Sequence, residues 1–300
     1  MVHPNSWSGN RVRGILKEMR VTIIGAAGLL GKYLLREWTI DEVRGVDRPE
    51  VDIRDPQVLD RVIWEARPHW IVLTAAYTDV DGCESHPDLA FETNCRGAVN
   101  VAEAASRHGA RLTFISTDYV FDGRKTTPYE TDDQRNPQSV YGQSKADAEV
   151  GITKVLPDSC IVRTSWLFGV GGKCFPDTIL KLATTRQELE VVNDQRGCPT
   201  YARDLARAIV QLCRANAEGI VHATNRGDCT WFEFASEIVR QAGLKTVIRP
   251  TTSEQFIRPA ERPKYSVLSS KSLVQRKISM PSWQEAVRDY LVERSAQSAC

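Results

Sequence analysis

A chain of 300 residues, 42% hydrophobic and 26% charged, can bury a substantial core in one large domain or two intimate ones. With 39 Lys and Arg against 38 Asp and Glu, its formal net charge of +1 gives no electrostatic case for nucleic acid or an anionic membrane as partner. No apolar run nears the roughly 18 residues of a membrane span, and the eight cysteines are scattered without metal-ligand spacing, so buried free thiols, no metal and a reducing, cytoplasmic compartment are expected.

Residues 1–18, MVHPNSWSGNRVRGILKE, form a polar extension without an apolar stretch of signal-peptide length. Poor order is expected there, and Met19 is an alternative start. From residue 19 short apolar runs alternate with helical stretches: strand 19–24, helix 29–38, strand 42–46, helix 56–66, strand 70–75 and a long helix over 89–108 that Gly109 terminates. A fourth strand over 111–116, a helix containing SVYGQSKADAEV and a fifth strand over 160–166 follow. That alternation predicts parallel pairing with right-handed crossovers, an α/β doubly wound sheet. The second half is less regular, with helices around DTILKLATTR, from Ala202, from Thr230 in the capping box TWFE, and a final helix opening with a second box, SWQE, whose apolar positions 283, 286, 287, 290 and 291 make one stripe.

Between the first strand and helix lies IIGAAGLLGKYLL, where Gly25, Gly28 and Gly31 let the backbone turn tightly and a pyrophosphate approach the helix N-terminus. Leu29 and Leu30 belong to the same turn. At the end of strand two, Asp47 suits an adenosine ribose diol, whereas the adjacent Arg48 suits a 2′-phosphate. The choice between NADH and NADPH therefore stays open. Beyond strand four, Ser116, Thr117, Asp118 and Tyr119 of FISTDYVFDG face the same crevice, at the carboxyl ends of the strands. In SVYGQSKA, Tyr141 and Lys145 are four residues apart, on one helix face. An ammonium there can lower the pKa of the phenol and fit it for proton transfer.

Taken in order, GAAGLLG, AAYTDVD, STDYVFDG, VYGQSK, RTSWLFG, VVNDQRGCPTY and RPKYS resemble the extended short-chain dehydrogenase/reductases, and within them the dTDP-4-dehydrorhamnose reductase branch. The resemblance runs from about residue 19 to residue 291. It implies a Rossmann-like dinucleotide-binding domain over 19–165 and a smaller α/β substrate-binding domain over 166–300, some of whose segments return to the Rossmann core. It also implies a catalytic set of Thr117, Tyr141 and Lys145. Asp52 and Ile53 would line the adenine, Ala75, Ala76 and Tyr77 would run along the cofactor, and Asn94 is the Asn of the long third helix. Thr78, Val80 and Trp166 would touch a nucleotide-sugar, with Arg196, Pro199, Thr200 and Arg262 on the substrate side. Guanidinium matches diphosphate geometry, but each arginine could equally serve a surface ion pair.

The expected activity is NADPH- or NADH-dependent reduction of a dTDP-linked 4-keto-6-deoxy sugar, giving dTDP-L-rhamnose for cell-surface polysaccharide. One alternative is a related reductase of the dihydrostreptose type. Another is a non-catalytic nucleotide-binding subunit resembling the regulatory beta subunit of methionine adenosyltransferase. A homodimer is compatible with either class.

Overall fold

The strands that read as unbroken apolar runs are buried on both faces, as strands of a parallel sheet must be. In the computed structural model, which describes residues 18–298, β1 (Arg20–Ile24), β2 (Glu42–Val46), β3 (Trp70–Leu73), β4 (Arg111–Thr117) and β5 (Cys160–Thr164) alternate with helices. The expected extension over 1–18 lies, Glu18 apart, outside the described residues. The helices of this half are α1 (Leu29–Glu37), α2 (Pro56–Ala66), α3 (Val80–Ser85), α4 (Pro87–Ala90), α5 (Gly97–Arg107) and α6 (Val140–Val155).

The second half adds strands β6 (Leu167–Phe168), β7 (Glu188–Val192), β8 (Arg196–Gly197), β9 (Thr200–Tyr201), β10 (Gly219–His222), β11 (Cys229–Thr230) and β12 (Val247–Thr251). Its helices are α7 (Phe175–Ala183), α8 (Ala202–Arg214), α9 (Trp231–Gln241), α10 (Lys271–Gln275) and α11 (Trp283–Ser298). The main sheet has six strands in the order β10-β5-β4-β3-β1-β2, every pair parallel. Three two-stranded ribbons, β7 with β12, β8 with β11 and β6 with β9, sit outside it.

Side-chain alternation along the strands sends two apolar sets to opposite faces. Val21, Ile23, Val72, Val162 and Val221 pack with α1 and α8. Ile24, Ile71, Leu73, Leu112 and Phe114 pack with α2 and α5. The chain leaves β1 for β2 and then returns to β3 on the other side of β1. In such sheets ligands bind in the crevice at this reversal.

The differences from the sequence reading have local causes. β3 stops at Leu73 because the Thr74 and Ala75 N–H groups both turn to donate to Ile24 O, at 2.9 and 3.0 Å. The long helix expected over 89–108 is α4, a π-helical turn (Phe91–Arg96) and α5. β10, a four-residue run in a segment that looked irregular, closes the sheet beside β5. Both capping boxes are present: Thr230 with Glu233, and Ser282 with Glu285. Of the stripe expected on the last helix, Trp283, Ala286, Val287 and Tyr290 are buried and Leu291 is half-buried against them. Among the described residues all seven cysteines are free thiols, and six of them are buried.

Candidate active site

A cleft of about 580 Å³ opens at the reversal of strand order, lined from the turns after β1, β2, β3 and β4 and from α6. Its floor is the glycine turn. Gly25 has φ +94°, and a Cβ there would stand 2.5 Å from Ala75 N. Gly31 faces the turn itself, since its Cβ would stand 2.3 Å from Gly25 O. No other residue fits either place. Gly28 is the N-cap of α1 and offers no side chain to its first turn, which leaves the N–H groups at Leu29, Leu30 and Gly31 free of a capping competitor.

Gly25, Gly28, Leu29, Leu30, Asp47, Arg48, Asp52, Ile53, Ala75 and Ala76 all line the cleft. Asp47 braces the turn, its Oδ2 accepting from Ala27 N and its Oδ1 from Arg48 N, both at 2.8 Å. The Arg54 guanidinium holds the Asp52 carboxyl down at about 2. A bare helix N-terminus, a glycine floor and apolar walls from Ile24, Val51 and Ile53 fit a dinucleotide.

Gly31, Tyr77 and Asn94, expected to touch cofactor, are not among the lining residues. The π-helical turn carries Asn94 inward, and its side chain clamps the Tyr77 backbone. Its Oδ1 accepts from Tyr77 N at 2.7 Å, while its Nδ2 donates to Tyr77 O at 3.0 Å and Ser144 Oγ at 3.1 Å. The pair holds the wall that Ala75 and Ala76 present.

The opposite wall is set by the start of α6. Ser139 caps it, accepting from Gly142 N at 3.1 Å. At Gly142 a Cβ would stand 2.2 Å from Tyr119 O, so only glycine lets this first turn press against the chain leaving β4. That contact brings Tyr141 beside Thr117, its ring edge-on to Tyr119 at 5.7 Å. The Thr117 hydroxyl donates to Asp118 Oδ1 at 3.1 Å and accepts from Tyr119 N at 3.2 Å. Burial raises the Tyr141 phenol above its ordinary value, and Thr117 beside it acts against that rise. Burial also lifts the Asp118 carboxyl to about 6.

Lys145 lines the cleft as well. Its Nζ donates to Ile115 O at 2.7 Å and stands 3.9 Å over the Phe114 ring. Burial drives the ammonium down to about 7, against the pull of Glu149. The groups acting on the Tyr141 phenol are burial, Thr117, Asp118, Tyr119 and Cys83. The net shift of the phenol is upward, opposite to the lowering expected from Lys145.

Thr78, Val80 and Trp166 line the far end with Thr164, Ser165 and Lys173. Asp118 Oδ2 and Thr164 Oγ1 are buried there without a hydrogen-bond partner. Arg196 and Arg262 do not line the cleft. Arg196 pairs with Asp228 at 2.6 Å and Glu233 at 3.1 Å, and Arg262 with Asp81 at 2.9 Å. A carboxylate nearby satisfies a guanidinium as well as a diphosphate does, so both took the ion-pair alternative. Thr200 is buried, its N–H donating to Trp166 O at 3.2 Å. Lys173 was missed in the sequence; the GVGGK run after the aromatic SWLF is the signal that could have found it. Among the described residues no group of three His, Cys, Asp or Glu could hold a metal.

A dinucleotide cradle and a hydroxyl pair sharing one cleft is the arrangement of the short-chain dehydrogenase/reductases, here in their extended form. The chain belongs to the family described as RmlD substrate binding domain, whose model matches residues 19–295. It is similar to the spore coat polysaccharide biosynthesis protein SpsK of Bacillus subtilis (strain 168), with 42% identity over 94% of this chain and 99% of that protein. It is 38% identical to the dTDP-4-dehydrorhamnose reductase of Mycobacterium tuberculosis (strain H37Rv), over 84% of this chain and 85% of that one. The crystal structure of dTDP-4-dehydrorhamnose reductase from Bacillus anthracis str. Ames in complex with NADP superposes with a TM-score of 0.90 at 39% identity, covering 92% of this chain and 99% of that one.

Proposed function

We propose that the chain reduces the C4 ketone of dTDP-4-dehydro-6-deoxy-L-mannose to dTDP-L-rhamnose with NAD(P)H, in nucleotide-sugar synthesis for cell-surface polysaccharide. The observation that carries this reading is that Thr117 and Tyr141 line the same cleft as the glycine turn. The reductase relatives support it.

The cofactor, when bound, supplies the hydride. The chain does the rest. Reduction places negative charge on the ketone oxygen, which needs preorganised donors. Tyr141 gives its proton to that oxygen, and Thr117, its hydroxyl turned from Asp118 Oδ1, holds it. The raised phenol pKa keeps Tyr141 protonated, the form a donor requires. Gly28 and the first turn of α1 take the pyrophosphate.

The test is cofactor oxidation on adding the keto sugar, generated in place by the upstream dehydratase and epimerase, with NADPH and NADH compared. Consumption that requires the sugar is expected. Binding of cofactor with no consumption would point to a different keto sugar, such as the dihydrostreptose-type precursor.

A pH dependence follows from Lys145, which by family resemblance grips the nicotinamide ribose. As pH rises through about 7 the free protein loses this proton. The Kd for cofactor is therefore expected to rise between about pH 6 and pH 9, read by fluorescence titration. Lys145→Met should flatten the profile. A wild-type Kd that stays constant over that range would remove Lys145 from the cofactor site.

A further inference from the structure

Trp166 has a positive φ of +46°, a conformation rare for a bulky residue. Such backbone persists only where the surroundings over-determine it. Here several groups do. Trp166 O accepts from Thr200 N at 3.2 Å, and the neighbouring Ser165 hydroxyl donates to Cys198 O at 2.6 Å. A Cβ on Gly197 would stand 2.6 Å from Cε2 of the Trp166 indole, so glycine is required beneath it. The indole then lies flat on that of Trp231, ring centroids 3.6 Å apart and planes 8° from parallel.

Trp231 is itself fixed from two sides. It is the first residue of α9, inside the capping box in which Thr230 N donates to Glu233 Oε2 at 2.7 Å. Arg196 pairs with Asp228 and Glu233, on either side of Trp231 in sequence, and so braces this helix start. On the α7 side the Phe175 ring stands 4.5 Å from Trp231. Trp231 does not line the cleft, whereas Trp166 does. A rigid ring of one layer thus holds a strained, cleft-lining ring of the other.

We infer that Trp231 is a positioning residue for substrate: it occupies one face of Trp166 and fixes that indole at the sugar-nucleotide end of the cleft, leaving the remaining surface to the ligand. This rests on the reading that Trp166 meets the nucleotide-sugar. The same geometry gives Arg196 a role without substrate contact, as the brace of the helix that carries Trp231.

Two indoles stacked this closely should give an exciton couplet in circular dichroism. In the full chain, Trp231→Leu is expected to abolish the couplet and raise KM for the keto sugar by about tenfold, with the Kd for NADPH unchanged. Trp231→Phe keeps a stacking ring and should recover most of the KM, and it serves as the folded arm if the leucine variant is unstable. A folded Trp231→Leu that lacks the couplet yet keeps the wild-type KM would overturn the inference, as would a Trp231→Phe no better than an unstable leucine variant. Trp166→Leu separates the two claims. An unchanged KM in that variant means that Trp166 does not meet substrate. A raised KM there, with Trp231→Leu unaffected, sinks the positioning role alone.

Discussion

Tyr141→Phe is expected to lower the rate of ketone reduction by about two to four orders of magnitude, the usual contribution of a positioned proton donor. The Kd for cofactor should stay within about twofold, because the substitution removes one hydroxyl and leaves the ring. That ring remains edge-on to Tyr119, and Gly142 still lets α6 press on Tyr119 O, so the wall keeps its shape. Steady-state cofactor oxidation and a fluorescence titration read the two quantities separately. Thr117→Val should reduce the rate less, since Tyr141 still provides a proton. A Tyr141→Phe protein that turns over at the wild-type rate would assign the proton to another group. Asp118, with its carboxyl at about 6 and one oxygen unpartnered, would be the first candidate.

The second large effect lies beneath the site. Arg163 and Glu149 are both fully buried, and Arg163 bonds the carboxylate with two nitrogens, at 2.9 and 2.6 Å. Ser116 donates to the same carboxylate at 2.6 Å, and Arg135 approaches it at 3.6 Å. His222, 3.4 Å from Arg163, is held neutral by burial, its pKa pushed down to about 3, so it adds no charge of its own. The pair thus joins α6, β4, β5 and the edge strand β10 directly behind Thr117 and Lys145. Removing one partner strands a buried charge, and Glu149→Gln or Arg163→Met is expected to lose about 3–5 kcal/mol of stability. Denaturant melts of the single variants and of Glu149→Leu/Arg163→Met provide the check. The double variant should recover much of the loss, since an apolar pair of similar volume needs no desolvation of charge. If a single variant is as stable as wild type, the pair does not hold this layer. Glu149 also supports the charge on Lys145 from one turn away. In a folded Glu149→Gln protein the pH profile of cofactor binding should therefore move to lower pH.

The main sheet was legible because strands buried on both faces advertise themselves as apolar runs, as VTII in β1 and WIVL in β3 do. β10 escaped because GIVH carries only two apolar residues and joins the sheet across a long sequence gap. The π-helical turn escaped for a different reason: its residues fit a helical pattern, and only the inward pull of Asn94 on the Tyr77 backbone separates it from α4 and α5. For the site, the glycine turn was the most readable motif, since Gly25 tolerates no side chain. Long charged side chains were the least readable. Arg196 and Arg262 each have several acceptors in reach, and tertiary packing decides which they take. The role of Trp231 was invisible for the same reason, as the capping box around it signals a helix start and says nothing of the ring stacked on it.

The most direct test of the central claim follows the hydride itself. The wild-type chain would be given NADPH carrying deuterium at either face of nicotinamide C4, together with the dTDP-linked 4-keto-6-deoxy sugar, and the product read by NMR. Deuterium at C4 of the sugar from one face only, in dTDP-L-rhamnose, is the predicted result. Label retained in the cofactor, or found at any other carbon of the product, would contradict reduction of the C4 ketone in this cleft.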